Sequence, residues 1–591
     1  MDIRRLSKIK NPSDMHYTLS ANHPNRNLLQ VEIRLNAGDL TELILRLPVW
    51  RPGRYEHGNF AKNVLNFSAR DTEGNSLIYK KTDKSSWQIH LSDIPTVVIS
   101  YSYYAAQFDA GACWVDEDIM YVNPIHCLMY TEEMMNESCT IELRIPASYK
   151  VATSLEQKEN NVFHADDFHE LVDSPFIAAE NLQHQNYQVQ GSTFHIWVYG
   201  ECNPDWQRIL NDFSSFTKVQ IELFGSIPVS DFHFLVLLAP YKLYHGVEHL
   251  ASTVLALGPG SRLMDDELYN DFTGVASHEL FHVWNVKSIR PTEMLPYKYH
   301  SENYSRLGYV YEGVTTYYGD LILARCGVYS SEQFFKEINV RLQKHFHNYG
   351  RFNLSVADSS FDTWLDGYVP GVPDRKTSIY DEGCICALMV DLLIRKKSGG
   401  KNSLDDVMKS LYTDFAKQNI GYSEHDFMEL VSQASGSSMV DFFMDYVYGT
   451  NDYEGLLSQT LSYAGCKLHK SSSVRKSESQ FGFKYNVTGG RPKISSVAPG
   501  SPADMAGLSK DDEIVALNEI AVDGNLEELV QQFIGEKIAL TTISPMKKLK
   551  DRLLIPGKTD YFPVYSIRKQ EKADPDEQRF FKSWLNQDFY S

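Results

Sequence analysis

A short segment near the middle of the chain, His278-Glu-Leu-Phe-His282, has the residue types and spacing of a metal site that carries its own base. On a helix, residues four apart lie on the same face, so the imidazoles of His278 and His282 can bind one Zn²⁺ ion together. Glu279 follows the first imidazole and can reach a water molecule at that metal. The chemistry expected of this set is hydrolysis, although short motifs also occur by chance and need support from other residues.

A third ligand is expected on a neighbouring element, because a catalytic zinc commonly has three protein ligands and one position for water. Glu312 is the best candidate, since it lies on the next expected helix, residues 306–326, after enough chain for a loop and a return. Its neighbours Tyr309, Val310 and Tyr311 form an unusually apolar setting for a lone carboxylate. The alternative is a helix glutamate that faces solvent.

A second pair of histidines, His245 and His249, belongs to Tyr244-His-Gly-Val-Glu-His249, which contains the inverted zinc motif HxxEH. Their spacing alone leaves a second metal site open. Gly246, however, weakens a helix here by about 1 kcal/mol relative to alanine. The segment also follows an expected buried strand, 232–239, so we expect a strand-to-loop edge rather than a ligand helix.

Composition limits the classes of protein that remain. At 591 residues the chain is expected to hold several domains, and its formal charge of −19 disfavours nucleic acid as a partner. No stretch approaches the ~20 apolar residues of a membrane span, and the first residues lack the apolar core of a secretory signal. The eight cysteines follow no framework spacing. We therefore expect reduced thiols in a cytoplasmic protein that does not enter membranes, with secretion by another route left open.

The pattern of apolar residues changes along the chain. Short alternating runs such as Val31-Glu-Ile-Arg-Leu predict a β-sandwich-like N-terminal domain, residues 1–170. Helices and a buried strand follow, and they carry the metal candidates. From about 330 the signals are mainly helical, beginning with the expected capping box Ser330-Ser-Glu-Gln333. A further folded unit is expected to begin near residue 478. The pattern of apolar residues over 574–585 predicts an amphipathic helix.

Longer strings around the metal candidates resemble the glycyl aminopeptidase family of zinc metallopeptidases, which is related to the aminopeptidase N clan. The resemblance is carried by His282-Val-Trp-Asn-Val-Lys-Ser-Ile-Arg-Pro, by the string from Arg306 to Tyr318 and by Leu47-Pro-Val-Trp-Arg-Pro-Gly-Arg-Tyr. It covers nearly the whole chain and implies a multidomain α+β protein. The implied domains are an N-terminal β domain (1–170), a thermolysin-like zinc catalytic domain (171–330), an α-helical domain that completes the active site (331–470), a C-terminal PDZ domain (478–560) and a tail with a short helix (561–591).

The resemblance also implies roles for residues outside the metal motif. Gly246-Val-Glu-His occupies the place of a motif whose glutamate binds the free α-amine of a substrate, which makes Glu248 the amine anchor, with Gly246 beside it. An ordinary loop glutamate is the alternative. Ser378-Ile-Tyr-Asp-Glu-Gly383 resembles a segment whose tyrosine donates a hydrogen bond to the developing oxyanion, which gives that role to Tyr380. Related enzymes often carry lysine where this chain has Glu382. Asp320 is a weaker candidate for orienting a metal-bound histidine.

The C-terminal unit resembles a PDZ domain. The resemblance is carried by Phe481-Gly-Phe, by the string from Ile494 to Leu508 and by Asp511-Asp-Glu-Ile-Val-Ala-Leu-Asn518. The loop Gln480-Phe-Gly-Phe would capture the C-terminal carboxylate of a peptide with its backbone N–H groups. The alternative is a copy without a ligand that only packs on the rest of the protein.

The sequence thus predicts a zinc-dependent aminopeptidase that acts on peptides with a free N-terminus, with Glu279 as general base and Tyr380 as oxyanion donor. The family resemblance implies small N-terminal residues, glycine or alanine. The first alternative is an endopeptidase or a hydrolase of N-blocked peptides. The second is a PDZ peptide-binding protein with an inactive or structural zinc site. The oligomeric state is left open.

Overall fold

The computed structural model describes residues 15–91, 94–369 and 371–591. These residues form two units. The first comprises the described residues of Met1–Tyr329, Ser360–Pro370 and Leu404–Leu430, and the second those of Ser330–Ser359, Gly371–Ser403 and Val431–Ser591.

The N-terminal part of the first unit is built from β-strands, as their alternating sequence predicts. Leu28–Asn36, for example, buries Val31, Ile33 and Leu35 and exposes Arg34. A seven-stranded sheet has the spatial order Glu156–Glu159, Val162–Ala165, Cys139–Arg144, Met15–His23, Leu28–Asn36, Thr96–Tyr104 and Val64–Arg70. A four-stranded sheet has the order Lys150–Thr153, Phe176–Ala179, Ile119–Val122 and Trp114–Val115, and a three-stranded sheet the order Glu42–Arg46, Ser86–His90 and Tyr79–Lys81.

A five-stranded sheet follows, and its edge strand carries two of the candidate residues. The spatial order is Gln183–Val189, Ser192–Tyr199, Asp231–Leu238, Ser252–Gly258 and Leu243–Glu248. The strand Asp231–Leu238 pairs in parallel with both neighbours and is buried from Phe234 onward, as its apolar run predicts. Leu243–Glu248 pairs antiparallel with Ser252–Gly258 and occupies the edge. The segment that contains HxxEH is therefore a strand and not a ligand helix.

Helices pack beside this sheet and hold the metal motif in place. They are Trp206–Phe224, Asp266–Phe281 and Thr315–Arg325, the last preceded by the π-helical turn Tyr309–Val314. The helix with the motif lies very close to the helix Thr315–Arg325. A Cβ built on Gly319 would lie only 3.1 Å from the Cβ of His278, so glycine is what allows this approach. Ser277 Oγ donates a hydrogen bond to the carbonyl of Gly319 at 2.8 Å. These contacts bring the two predicted ligand helices together.

The remaining helices confirm the helical signals of the middle of the chain. The capping box predicted at Ser330 and Gln333 is present at the start of Ser331–His347. The other helices of the first unit are Phe168–Val172, Thr363–Asp366, Leu404–Ser410 and the π-helical turn Leu411–Phe415. Those of the second unit are Asp381–Lys397, Val440–Phe442, the π-helical turn Phe443–Val447, Glu454–Ser462, Lys476–Ser479, Pro502–Met505, Leu526–Gln532 and Pro575–Leu585. In two further helices, Val356–Phe361 and Glu424–Ser435, some residues are assigned to the first unit and the others to the second.

The C-terminal module is a sheet with the order Phe483–Thr488, Arg491–Val497, Glu513–Leu517, Ile538–Ile543 and Leu549–Leu554, and Ile520–Ala521 also pairs with Glu513–Leu517. The sequence predicted only a short helix after this module. The structure adds a strand there, Val564–Lys569, which pairs with Cys466–Ser471. The helix itself, Pro575–Leu585, buries Phe581, Trp584 and Leu585.

Among the residues described, no helix combines the length and apolar character that crossing a membrane requires.

The burial of Trp584 predicts that the C-terminal helix stabilises the second unit. The ring of Trp584 lies 5.6 Å from that of Phe334 and 6.2 Å from that of Phe335, and it is fully buried. We expect Trp584→Ala to cost about 3–5 kcal/mol of local stability, measured as faster hydrogen exchange in Ser331–His347. The exposed neighbour Lys582→Ala is the control and should leave exchange unchanged. Equal exchange in the two variants would contradict the prediction.

Candidate metal centre

The last turn of the helix Asp266–Phe281 presents both histidines of the motif to one point. Asp266 and Glu267 lie in the first turn of this helix, where acidic side chains suit the helix dipole. His278 lies in the last turn and His282 is the C-cap residue. Their Nε2 atoms are 3.0 Å apart. The spacing of four residues therefore gives two nitrogen atoms aimed at the same small volume.

Glu312 completes the set from the facing π-helical turn. Its Oε2 lies 3.4 Å from Nε2 of His282 and 3.9 Å from Nε2 of His278. Tetrahedral ligands of a zinc ion lie about 3.3 Å from one another when each is 2.0–2.1 Å from the metal. Single turns of π-helix are frequent at functional sites, and this one continues directly into the helix Thr315–Arg325. The structure thus brings together the three residues that the sequence predicted as ligands.

Asn285 orients the ring of His282 and also connects the motif helix to the π-helical turn that carries Glu312. The Nδ1 atom of His282 is 2.6 Å from the carbonyl oxygen of Asn285, so Nδ1 carries the proton and the lone pair of Nε2 points to the site. The side-chain amide of Asn285 donates to the carbonyl of Val310 and to Thr315 Oγ1, both at 3.0 Å. One asparagine therefore connects both ligand-bearing elements.

Three carboxylates crowd around His282, those of Glu248, Glu279 and Glu312, and they are between 2% and 5% exposed. Burial raises the pKa of Glu279 well above its usual value, and Glu248 and Glu312 raise it further against the opposing effect of His282. Burial alone would lower the pKa of His282, but Glu312, Glu248 and Glu279 raise it to about 10. Such a cluster needs positive charge at its centre, and a divalent cation on His278, His282 and Glu312 would supply it.

The edge strand places Gly246 and Glu248 against the metal motif. A Cβ at Gly246 would lie 2.3 Å from Oε1 of Glu279, so any larger residue would displace the proposed base. One carboxylate oxygen each from Glu248 and Glu279 lies within 4.8 Å of a ring nitrogen of His282. Oε1 of Glu248 and Oε2 of Glu279 are buried and accept no hydrogen bond from the residues described. Both oxygens are therefore available to a substrate or a water molecule.

The histidines of the HxxEH segment do not form a second metal site. Nδ1 of His245 lies 3.7 Å from Oδ1 of Asp109. Burial lowers the pKa of His249 to about 3, so its ring stays neutral. Within the described ranges, each group of three side chains that could hold a metal consists of residues of the site above, and none includes either histidine.

A turn of the N-terminal β domain closes one end of the site, and the sequence analysis did not predict this. Arg54 N donates to the carbonyl of Arg51, and Pro52 and Gly53 are the central residues of the turn. Gly53 has a φ of +80°, as a type II turn requires at that position. A Cβ at Gly53 would lie 2.2 Å from Oε2 of Glu248, so the tip of the turn touches this carboxylate. The Pro-Gly pair signalled a turn, but its place in the fold was not visible in the sequence.

Aromatic side chains anchor this turn on both sides. Trp50 Nε1 donates to the carbonyl of Lys298 at 2.8 Å, and its ring packs edge-on against Tyr297 and Trp364. The ring of Tyr55 packs at 4.9 Å, tilted by 50°, against the ring of Tyr311, the neighbour of Glu312. Burial and the negative charge of Glu312 raise the pKa of Tyr55 well above its usual value, so its hydroxyl keeps its proton beside the site.

Asp320 and Tyr380 are the two remaining residues that the sequence predicted for the site. Asp320 is buried on the helix Thr315–Arg325. Tyr380 belongs to the second unit, where it is half-buried and directly precedes the helix Asp381–Lys397. Glu382, which departs from the family pattern, is buried with its Oε2 at 2.5 Å from Nδ1 of His345. That pairing gives Glu382 a structural partner within its own unit.

The proposed carboxylate-binding loop of the C-terminal module is already occupied by its own chain. The short helix Lys476–Ser479 precedes the loop, and the N–H of Phe481 donates to the carbonyl of Lys476 and that of Gly482 to the carbonyl of Glu478. Glu527, on the helix Leu526–Gln532, accepts hydrogen bonds from the backbone of Lys476 and from Ser477. A peptide carboxylate would have to displace these contacts.

Comparison with known proteins agrees with the site. Three family models match: a peptidase M61 N-terminal domain at residues 16–180, an M61 glycyl aminopeptidase domain at 271–386, and a PDZ domain at 471–543. The second match contains His278, Glu279, His282, Glu312 and Tyr380. A search of curated protein sequences returned no match.

Solved structures resemble the chain over much of its length. An aminopeptidase N family protein from Idiomarina loihiensis is 25% identical, with a TM-score of 0.88 over 97% of this chain and 100% of that chain. An M1 zinc metallopeptidase from Deinococcus radiodurans is 15% identical, with a TM-score of 0.45 over 74% of this chain and 94% of that chain, which is too distant to support an argument.

The metal motif, its facing glutamate and these matches define the class: the chain is a zinc metallopeptidase. More particularly, its N-terminal part matches the peptidase M61 N-terminal domain, residues 271–386 match the M61 glycyl aminopeptidase model, and a PDZ domain match follows.

The contacts of Asn285 predict that it supports metal binding without being a ligand. Asn285→Ala removes both side-chain hydrogen bonds to the helix of Glu312, and we expect zinc affinity to fall by about tenfold. Competition with a chromophoric chelator measures this directly. Asn211→Ala, on an exposed helix face, is the control. An unchanged affinity in folded Asn285→Ala would show that the ligands are positioned without this residue.

The occupied loop predicts that the C-terminal module does not recognise free carboxylates. Peptides that end in a carboxylate and the same peptides with an amide end should bind the full chain equally weakly, because the N–H groups of Phe481 and Gly482 are already bonded. Fluorescence anisotropy with a labelled peptide library measures both. Clearly tighter binding of the carboxylate form would contradict the prediction.

Proposed function

We propose that this protein is a zinc-dependent aminopeptidase that removes the N-terminal residue of peptides. His278, His282 and Glu312 would hold the zinc ion, and Glu279 would act as general base. Glu248 would bind the α-amine of the substrate beside Gly246, and Tyr380 would stabilise the oxyanion. The distances among the three ligand atoms, 3.0 to 3.9 Å, support this assignment.

When bound, zinc supplies Lewis acidity that polarises the scissile carbonyl and makes water more acidic. Glu279 takes a proton from the attacking water through its unpartnered Oε2 and delivers it to the leaving amine. Its raised pKa suits a group that must accept a proton and later release it. The neighbour Gly246 leaves the space in which this carboxylate lies.

The observation that carries the exopeptidase assignment is the position of Glu248. This buried carboxylate lies beside Glu279 and His282, and the tip of the Arg51–Arg54 turn touches it. A substrate ammonium can pair with the free oxygen of Glu248, which is a strong charge-assisted contact. Because Gly53 leaves no room for even a methyl group next to Glu248, a peptide chain would have to begin there. The first substrate residue would therefore occupy the site at the metal.

Substrate main chain could extend along the free edge of the strand Leu243–Glu248. The backbone hydrogen bonds of an added strand depend little on side chains, so the enzyme would select weakly among side chains after the first residue. The preference for glycine or alanine at the first position and the role of Tyr380 rest on family resemblance. We also propose the domain division given above, and a cytoplasmic location, which is supported by the absence of disulfides among the eight cysteines, all of which the structure describes.

Substitutions of two carboxylates test the proposal. Glu279→Gln should bind zinc normally but lower kcat by about 10²–10⁴-fold, because the general base is lost. Glu248→Ala should lower kcat/KM on alanyl and glycyl arylamides by about a hundredfold, because the substrate ammonium loses its partner. N-acetylated versions of the same substrates should be cleaved poorly by wild type and variant alike, so the loss should appear only on the substrates with a free amine. Glu267→Gln, exposed on the same helix as Glu279, is the control.

Two outcomes would overturn this function. Equal losses on free and N-blocked substrates would remove the anchor role and favour an endopeptidase. A zinc-loaded wild type that hydrolyses neither kind of substrate would favour a binding protein with a structural metal.

A further inference from the structure

A cavity of about 280 Å³ is lined by Arg51 and Arg54 of the turn that touches Glu248, and the mechanism above does not use it. The side chains that line it include Arg51, Arg54, His57, Lys62, Asp109 and His126. All belong to the first unit. One turn thus borders both the proposed amine anchor and this cavity.

Arg51 is the unusual residue of the cavity. It is 4% exposed, yet within residues 15–91, 94–369 and 371–591 no carboxylate lies within 4.0 Å of its guanidinium. Its Nη1 donates to the carbonyl of Pro52 at 3.1 Å, and Nε and Nη2 remain for another acceptor. A buried guanidinium is costly unless an anion and further hydrogen bonds compensate it. Among the described residues Arg51 forms no ion pair, and its charge acts on Glu279 only from beyond ion-pair distance.

The fold makes specific room for this guanidinium. A Cβ at Gly111 would lie 2.1 Å from Nη2 of Arg51, so the cationic group rests directly on the backbone of the loop 106–113. Asp109 in that loop is engaged elsewhere, since its Oδ1 accepts from the N–H of Gly111 at 2.8 Å and lies 3.7 Å from His245. The guanidinium of Arg51 is therefore held in a fixed position against this backbone, at the wall of the cavity.

The cavity has one more cation than it has carboxylates, since its lining contains Arg51, Arg54 and Lys62 but only Glu56 and Asp109. Arg54 is paired with Glu56, whereas Lys62 adds a further cation at the rim. Burial and the charges of Arg51, Arg54 and Lys62 lower the pKa of His126 well below its usual value. Burial and Arg51 lower that of His245 to about 4, against the opposing charge of Asp109. Both rings stay neutral at neutral pH, and a carboxylate would enter a field of the opposite sign.

We propose that this cavity binds a carboxylate side chain of the peptide substrate, with Arg51 as the specificity-determining residue. This inference rests on the function proposed above. The planar fork of arginine fits a carboxylate with two parallel hydrogen bonds. The same turn lines the cavity and touches Glu248, where the substrate amine would be held, so the acidic residue would be the first or second of the peptide. Aspartate there is preferred over asparagine, which has the same shape without the charge.

The test compares Asp-Ala-Ala with Asn-Ala-Ala and Ala-Asp-Ala with Ala-Asn-Ala on the full-length zinc enzyme. At one of the two positions the acidic peptide should have a kcat/KM about tenfold higher than its amide isostere, the effect of one charge-assisted contact. Arg51→Gln should bring this ratio to near one, and Arg51→Lys should keep part of it. Arg34→Gln, an exposed arginine of the same β domain, should leave the ratio unchanged. The ratio cancels any general loss of activity or of folded protein.

Binding keeps this test separate from the test of the proposed function. Calorimetric titration of the full-length Glu279→Gln protein with Asp and Asn peptides measures recognition without hydrolysis. If no peptide is cleaved but an Asp peptide binds tighter in a manner that depends on Arg51, the aminopeptidase function fails and this inference stands. Equal binding of Asp and Asn peptides at both positions overturns it. Succinate that binds through Arg51 without any preference for Asp peptides also overturns it, in favour of a site for free anions.

Discussion

The repulsion among three buried carboxylates is the constraint on which the centre of this protein depends. Glu248, Glu279 and Glu312 meet at His282 in a region that solvent hardly reaches, where like charges interact far more strongly than in water. A metal ion between the ligands reverses the sign of the local charge. Metal binding and the stability of the first unit are therefore linked, since the ion binds the folded arrangement and not the dispersed ligands of an unfolded chain.

Close backbone approach, rather than long side chains, brings these groups together. The motif helix meets its neighbour at Gly319, and the edge strand meets Glu279 at Gly246. Interiors packed at this density transmit small shifts, so a single added carbon at either place would move His278 or Glu279. Asn285 also contributes, because its side chain forms hydrogen bonds from the end of the motif helix to Val310 and Thr315 of the facing element. The geometry of the site is set by main-chain contacts that few substitutions can preserve.

The sequence predicted which residues of the motif lie together and missed the distant contacts. The proximity of His278 and His282 follows from helical periodicity, and the choice of Glu312 as a proposed ligand follows from a carboxylate among apolar residues. Nothing local revealed that a Pro-Gly turn nearly two hundred residues before Glu248 would touch it, because such a contact depends on how strands of the β domain align. The HxxEH segment was correctly predicted as strand-like, since Gly246 disfavours a helix. The extra strand Val564–Lys569 was missed, because its partner Cys466–Ser471 lies far away in the chain.

The edge strand Leu243–Glu248 has a consequence for the behaviour of the protein in concentrated solution. An unpaired strand edge offers a row of hydrogen-bonding groups on which another chain can assemble, and natural proteins guard such edges. In the five-stranded sheet this edge pairs on one side only, while the Arg51–Arg54 turn covers the end at Glu248. Docking of the turn thus limits how many residues of a foreign strand can align there. At this edge, the contact that limits self-association is the same contact that would limit a bound peptide to its end.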